Sequence, residues 1–152
     1  MDKQQLIISQ LEKRVSAFSE AVAIPHPPSG WVKAVRNALG MTLEQLGKKL
    51  SVSKQAALEI EKREKEGRIT INSLRETAHA MDMKLVYGFV PKDGSFEKLI
   101  DKKATALAKE IVLRTSQSMK LEDQENSDER IAKAIEEKTL KLKQQLPKAL
   151  WD

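Results

Sequence analysis

Residues 42–67 read TLEQLGKKLSVSKQAALEIEKREKEG, two helical patterns separated by a very short break. Thr42 and Ser53 are N-cap residues for the two patterns, and Gly67 is a plausible stop for the second. The apolar side chains predicted to face inward are Leu43, Leu46, Leu50, Val52, Ala57 and Ile60. Because the break is so short, the two helices must approach each other, and the small residue Gly47 lies where they meet. This segment predicts a tight helical pair.

Such a pair has two interpretations that its spacing does not separate. A turn of three or four residues between helices is typical of a helix-turn-helix, whose second helix enters the DNA major groove with its N-terminal residues at the base edges. Lys54 and Gln55 begin the second helix here. Lysine donates to guanine O6 or N7, and glutamine pairs with adenine N6 and N7. A packed helical hairpin without any ligand would have the same inward residues.

Charge and composition favour a soluble intracellular protein and narrow its partners. The 152 residues contain no cysteine, which removes disulfides and thiolate chemistry, and no signal-peptide or membrane-spanning run. A cytoplasmic location is therefore expected. The net charge is +5, and residues 1–94 hold 15 basic against 11 acidic groups. A basic excess around the helical pair favours a polyanion such as double-stranded DNA.

The rest of the chain is predicted to be mainly helical. Apolar stripes indicate helices over about 3–23, 30–39, 71–81, from 95 onward and 128–146, with a polar interruption at 116–129. Ser29 and Thr70 are expected to cap the second and third of these. Three regions follow: residues 1–28 form an N-terminal helix and Pro-rich linker, 29–94 a helix-turn-helix domain with a dimerisation strand, and 95–152 a C-terminal helical region.

One segment, KLVYGFV at 84–90, predicts a β-strand because it is β-branched and aromatic and ends at Pro91. A lone strand leaves unpaired backbone groups, so the same strand of a second copy is the expected partner. This predicts a homodimer joined by a two-stranded intersubunit ribbon. The residues assigned to the dimer strand are Leu85, Val86, Tyr87 and Phe89. Edge pairing with RITI, residues 68–71, is the alternative.

Residues for catalysis or metal binding are nearly absent from the sequence. His26 lies in a Pro-rich loop, and His79 follows Glu76 at helical spacing, which supplies only one of the motifs that a di-iron bundle needs. No phosphate-binding glycine loop or nucleophile motif is present. We therefore expect no enzyme activity, no metal and no cofactor.

The sequence also resembles known families. MTLEQLGKKLSVSKQAALEIEKRE resembles the phage-repressor type of helix-turn-helix, called XRE or Cro-like. Flanking segments, among them HPPSGWVKAVRNALGMT, GRITINSLRETAHAMDMKLVYGFVP, SMKLEDQ and the final LWD, resemble the mobile mystery protein A family. That resemblance covers most of the chain. It implies a bacterial protein encoded beside a Fic-domain partner, mobile mystery protein B, in a toxin–antitoxin module.

The resemblance further implies roles for individual residues. Lys54, Gln55 and Glu59 match base-reading positions of the recognition helix, while Thr42 and Ser53 match capping positions that approach phosphates. Glu59 could accept from cytosine N4 or repel phosphate. Glu61 matches a structural position and is excluded from the reading set. The implied function is that of an antitoxin and autorepressor. If the chain is the homodimer that the strand predicts, its operator is expected to be an inverted repeat. The alternative is an interaction protein that neutralises the Fic-domain partner without binding DNA.

Two residues depart from the usual repressor pattern. Ser51 occupies the turn position that is usually Gly, and a non-Gly residue at positive φ costs roughly 1 kcal/mol. Gly47 stands where Ala is usual, which weakens a helix by about 0.5–1 kcal/mol. Both departures lower the expected stability without redirecting the fold.

Overall fold

The computed structural model describes residues 2–121 and 128–152, which are mainly helical. Its α-helices are α1 (Lys3–Ser16), α2 (Trp31–Ala38), α3 (Leu43–Leu50), α4 (Lys54–Lys65), α5 (Ile71–Ala80), α6 (Phe96–Leu121) and α7 (Asp128–Gln145). Short 3₁₀-helices cover Ser19–Ala23 and Lys148–Trp151. The chain forms two compact units, one of residues 20–88 and one of residues 1–19 with 89–152. No helix in the described ranges is long and apolar enough to cross a membrane.

The unit of residues 20–88 contains α2 to α5 around a small apolar core. Its buried members are Val32, Leu46, Ala57 and Met81, one from each of α2, α3 and α4 and one from the end of α5. Around them pack the half-buried Val35, Met41, Leu43, Leu50, Leu74 and Ala80. The predicted inward positions Leu46 and Ala57 are fully buried, because apolar residues at helical spacing present one face to the core.

Apolar spacing also predicts Trp31 and Leu39 on the inner face of α2 and Ile71 on that of α5, yet these side chains and the predicted inward Val52 are exposed. The side chains that are 39–51% exposed are Val52, Trp31, Ile71 and Leu39. In α2 the buried face carries Val32 and Arg36, which are four residues apart. The prediction therefore placed the wrong side of α2 against the core. It considered apolar residues only, so it could not recognise a buried arginine.

The second unit is built on the pairing of α6 with α7. Its buried core consists of Ala104, Ala108, Leu142 and Leu150, with the half-buried Leu107, Ile135 and Leu146 around it. Small alanines on α6 allow a close approach of α7. The predicted polar interruption at 116–129 falls partly outside the described residues; its first part continues α6 as far as Leu121.

The N-terminal helix is shorter than predicted. It ends at Ser16, whose hydroxyl donates to the Lys13 carbonyl, and Ser19 repeats this bond to the carbonyl of Ser16. Hydroxyl groups that form hydrogen bonds with nearby backbone carbonyls compete with the backbone hydrogen bonds that would extend an α-helix. This explains the change to a 3₁₀-helix at Ser19–Ala23. Glu12 on α1 accepts from the Phe96 amide at 2.9 Å and thereby satisfies the start of α6.

The predicted strand at 84–90 is wrong for this chain. Residues 84–90 have no regular secondary structure, and RITI contributes no strand to pair with them; no strand occurs anywhere in the described ranges. A β-strand requires a hydrogen-bonded neighbour, and a single copy offers none here. The intersubunit ribbon is therefore not supported. The β-propensity of residues 84–90 reflects only their side-chain types, and the tertiary environment of the segment overrides it.

Candidate nucleic-acid interface

The turn between α3 and α4 is a close backbone contact. Ser51 adopts the left-handed conformation, with φ 57° and ψ 39°, as its place in the turn requires. The Val52 amide then donates to the Gly47 carbonyl at 2.8 Å. A Cβ atom on Gly47 would lie 2.8 Å from the Val52 carbonyl oxygen, which is closer than real Cβ contacts come. Gly47 thus allows the turn to fold directly onto α3, and this sets where α4 begins.

Side-chain caps start both helices of the pair. Thr42 forms a capping box with Gln45: the Thr42 Oγ1 accepts from the Gln45 amide at 3.1 Å, and the Gln45 Oε1 accepts from the Thr42 amide at 2.8 Å. Ser53 Oγ accepts from the Ala56 amide at 3.0 Å. In these bonds both hydroxyls act as acceptors, so their own hydrogens remain available to a phosphate oxygen. Both capping residues are exposed.

The three predicted base-reading residues lie on α4. Lys54 and Gln55 are its first two residues and both are exposed. Glu59, one turn further on, is half-buried, and its Oε1 lies 3.9 Å from Nε of Arg63. The helix therefore presents a lysine and a glutamine at its tip, together with a carboxylate that has a cationic neighbour.

A buried ion pair holds α4 against α2. Arg36 donates from Nε to Glu61 Oε2 at 2.7 Å and from Nη2 to Oε1 at 3.1 Å. Its Nη1 donates to the Met41 carbonyl at 2.9 Å, immediately before α3 begins. Glu61 is 4% exposed. One guanidinium thus connects α2, the start of α3 and the second turn of α4, and Glu61 lies inside the protein, away from any DNA.

A second glutamate of α4 caps α2. The Glu64 carboxylate accepts from the Trp31 amide at 2.9 Å and from the Val32 amide at 2.8 Å. Ser29, the predicted N-cap residue, does not cap α2. The N-cap residue is Gly30, which forms no side-chain hydrogen bond. Gly30 has φ 89°, and a Cβ there would lie 2.8 Å from Glu64 Oε1. Glu64 therefore replaces a local cap with a long-range one.

Sequence reasoning missed three residues that build this site. Gln45 could have been found, because Thr42 followed three residues later by Gln is the capping-box signature. Arg36 and Glu64 left no such signal, since their partners lie 25 and 32 or more residues away in sequence. Long-range polar pairs become visible only in the folded unit.

Internal bonding changes how the charge of this unit is presented. Residues 20–88 carry 11 Lys and Arg against 8 Asp and Glu. Glu61 and Glu64 are buried in bonds to Arg36 and to the N-terminus of α2. Meanwhile Lys48, Lys49 and Lys54 around the turn are all exposed. The surface of the helical pair is consequently more basic than the residue count indicates, which suits a phosphate backbone.

The residues assigned to the dimer strand lie in the irregular segment after α5. Val86, Tyr87 and Phe89 are 66%, 58% and 88% exposed, and Leu85 is half-buried. Leu85 and Val86 line an apolar groove of about 360 Å³, together with Trp31, Val32, Val35, Leu74, Ala78, Met81, Met83 and Lys84. The segment thus leaves apolar side chains uncovered in a single copy.

Among the described residues no cluster of His, Asp and Glu is arranged to hold a metal ion. The ring of His26 packs edge-on against Trp31, with centroids 5.9 Å apart, and His79 is an exposed residue in the last turn of α5.

Comparison with protein families identifies a helix-turn-helix segment in this chain. A family model described as helix-turn-helix, of the XRE type, matches residues 32–87, which extend from α2 through the segment after α5. Comparisons with curated proteins and with solved structures find no match. The matched range contains the capped turn, the exposed tip of α4 and the buried pair that anchors it. The family match supports the function of a DNA-binding transcriptional regulator.

Proposed function

We propose that this chain is a sequence-specific transcriptional regulator that inserts the N-terminus of α4 into the DNA major groove. The observation that carries the proposal is the exposed pair Lys54 and Gln55 at the tip of α4, a helix that the buried Arg36–Glu61 pair holds against α2. A rigidly held helix presents its tip in one orientation, and base readout requires such an orientation.

Each residue at the tip has a chemical role in this proposal. Lys54 donates to guanine O6 or N7, and Gln55 pairs with the adenine edge. Thr42 and Ser53 donate their hydroxyl hydrogens to phosphates, beside the free amides at the helix starts. Glu59 accepts from cytosine N4, and Arg63 limits its repulsion of nearby phosphates because the two side chains are paired.

DNA binding is tested with the DNA upstream of the protein's own gene. Lys54→Ala with Gln55→Ala should abolish the footprint on a specific site and leave weak binding that falls steeply with salt. A matched control is Lys103→Ala with Gln117→Ala on α6, where both residues are exposed. That control loses the same charge and should keep the footprint. An unchanged footprint in the Lys54 and Gln55 variant would refute the assignment of the reading residues.

We further propose that the regulator is a homodimer and that its operator is an inverted repeat, with half-sites about one helical turn apart. Val86 lines the apolar groove and is exposed, and the adjacent Tyr87 is exposed as well. These side chains support a contact between copies, because exposed apolar side chains gain from being covered. Sedimentation equilibrium should give a dimer that Val86→Asp weakens. Val22→Asp is the control, since Val22 is 67% exposed. A monomer at all concentrations would remove the dimer proposal.

The biological setting we propose is a Fic-type toxin–antitoxin module, with this chain as antitoxin and autorepressor. Its support is the resemblance of the flanking segments to mobile mystery protein A. Co-expression with the neighbouring Fic-domain protein should give a stable complex and restore growth that the Fic-domain protein arrests. If no complex forms, the antitoxin role is wrong. If a complex forms but the upstream DNA is not bound, the chain is an interaction protein that only neutralises its partner.

A further inference from the structure

Leu58 is an exposed leucine on the helix that we propose enters the major groove. It is 43% exposed, whereas the buried residues of α4 are Ala57, Glu61 and Glu64. Within α4 no other large apolar side chain is as exposed. A single exposed leucine elsewhere on a protein surface requires no explanation. Leu58, however, lies among polar residues on the helix that we propose enters the major groove, and this position does require an explanation.

The surroundings of Leu58 follow from helix geometry. Residues three or four apart are neighbours on a helix surface, so Lys54 lies one turn before Leu58 and Lys62 one turn after it. Both lysines are exposed. Glu59 follows directly and is paired with Arg63. Leu58 is therefore an apolar spot on a row of cations, continuous with the tip that carries Lys54 and Gln55.

The major groove offers one apolar group, the C5-methyl of thymine, and it distinguishes thymine from every other unmodified base. An apolar side chain on the reading helix can cover that methyl group, while flanking lysines contact phosphates or guanine. A charged or polar residue at this position would leave the methyl group beside a hydrated group. Resting on the proposed function, we infer that Leu58 is a specificity-determining residue that contacts the C5-methyl of one thymine in each half-site.

The expected size of the effect follows from burial of one methyl group. Covering one methyl-sized apolar group stabilises a contact by about 0.8 kcal/mol, which corresponds to roughly fourfold in affinity. The penalty should be confined to one base pair per half-site, because a leucine reaches a single methyl group from a helix docked in one orientation.

The experiment combines a protein change with a chemical change in the DNA. The wild-type protein first selects its operator from a random library. Each thymine of that operator is then replaced by deoxyuridine, which removes the methyl group and keeps the hydrogen-bonding edge. Wild type should bind about fourfold more weakly for each half-site in which one particular thymine is replaced. Leu58→Ala should bind the thymine and deoxyuridine operators equally well, and Leu58→Met should retain most of the difference.

A matched control is Leu39→Ala, because Leu39 is 51% exposed and lies at the end of α2, outside the helical pair. It should keep the wild-type penalty for deoxyuridine. The inference is overturned if no thymine shows a penalty, or if Leu58→Ala keeps every penalty that wild type shows. A wild-type protein that enriches no DNA sequence would overturn the proposed function, and this contact with it.

Discussion

Replacing Arg36 by methionine tests how α4 is held against α2. Methionine keeps much of the side-chain length but removes both bonds to Glu61, at 2.7 and 3.1 Å, and the bond to the Met41 carbonyl. Glu61, 4% exposed, is left as a buried carboxylate without its cation. Removing one partner of a buried pair costs about 3–5 kcal/mol, a large fraction of the 5–15 kcal/mol by which domains of this kind are stable.

A second substitution, at Glu61, should restore most of the stability that Arg36→Met loses. Arg36→Met with Glu61→Leu removes both charges and fills the site with apolar side chains of similar size. Replacement of a whole buried pair by apolar residues is often neutral or stabilising. We therefore expect the double variant to recover to within about 1 kcal/mol of the parent, with the Met41 carbonyl accounting for the remainder.

The assay follows the unit of residues 20–88 alone. The two tryptophans lie in different units, Trp31 in residues 20–88 and Trp151 in the other. In a Trp151→Phe background, Trp31 fluorescence during urea unfolding reports the unit that contains Arg36. A shift in the midpoint at constant slope gives the change in free energy of unfolding.

Arg63→Met breaks the exposed pair with Glu59 and should cost no more than about 0.5 kcal/mol, because exposed pairs at this spacing contribute little. If Arg36→Met costs as little as Arg63→Met, the buried pair does not hold α4. If the double variant loses the sum of both single changes, the loss comes from packing and not from an unpaired charge.

Three further variants, measured by the same urea unfolding, test the turn and the start of α2. Ser51→Gly should stabilise by about 0.5 kcal/mol, because relief of the left-handed strain outweighs the extra chain entropy; a loss would show the strain to be absent. Gly47→Ala should destabilise by about 1 kcal/mol despite better helix propensity, since its Cβ meets the Val52 carbonyl; a gain would mean that the turn relaxes freely. Gly30→Ala should cost about 2 kcal/mol, from positive φ and displacement of Glu64, and an unchanged midpoint would contradict both terms.

Much of the helical pair could be predicted from sequence because its determinants are local. Thr42 and Ser53 cap helices that begin at the next residue, and Leu46 and Ala57 are fully buried. The left-handed conformation expected at Ser51 is present. Caps, turns and apolar spacing act over three or four residues, so a single sequence displays them. The family match over residues 32–87 supports the same class of DNA-binding protein.

The errors concern features that depend on distant partners. The segment 84–90 has strand-forming side chains, yet it forms no strand, because pairing is decided by the neighbour and not by the segment. The helix at 3–23 ends at Ser16, where hydroxyl bonds to the backbone replace the continued ladder. In α2 the buried face carries Arg36, which an apolar stripe cannot reveal.

The sequence by itself determined a capped helical pair with Lys54 and Gln55 at its tip, because those signals lie within one or two helical turns. Only the tertiary structure decided how that tip is held. Arg36 satisfies Glu61, and Glu64 supplies the cap that α2 lacks, although the partners lie 25 or more positions apart in sequence. A buried charge is tolerated only beside its partner, and that partner becomes a neighbour only when the helices pack. The same packing turns two acidic residues inward and leaves a basic tip outside.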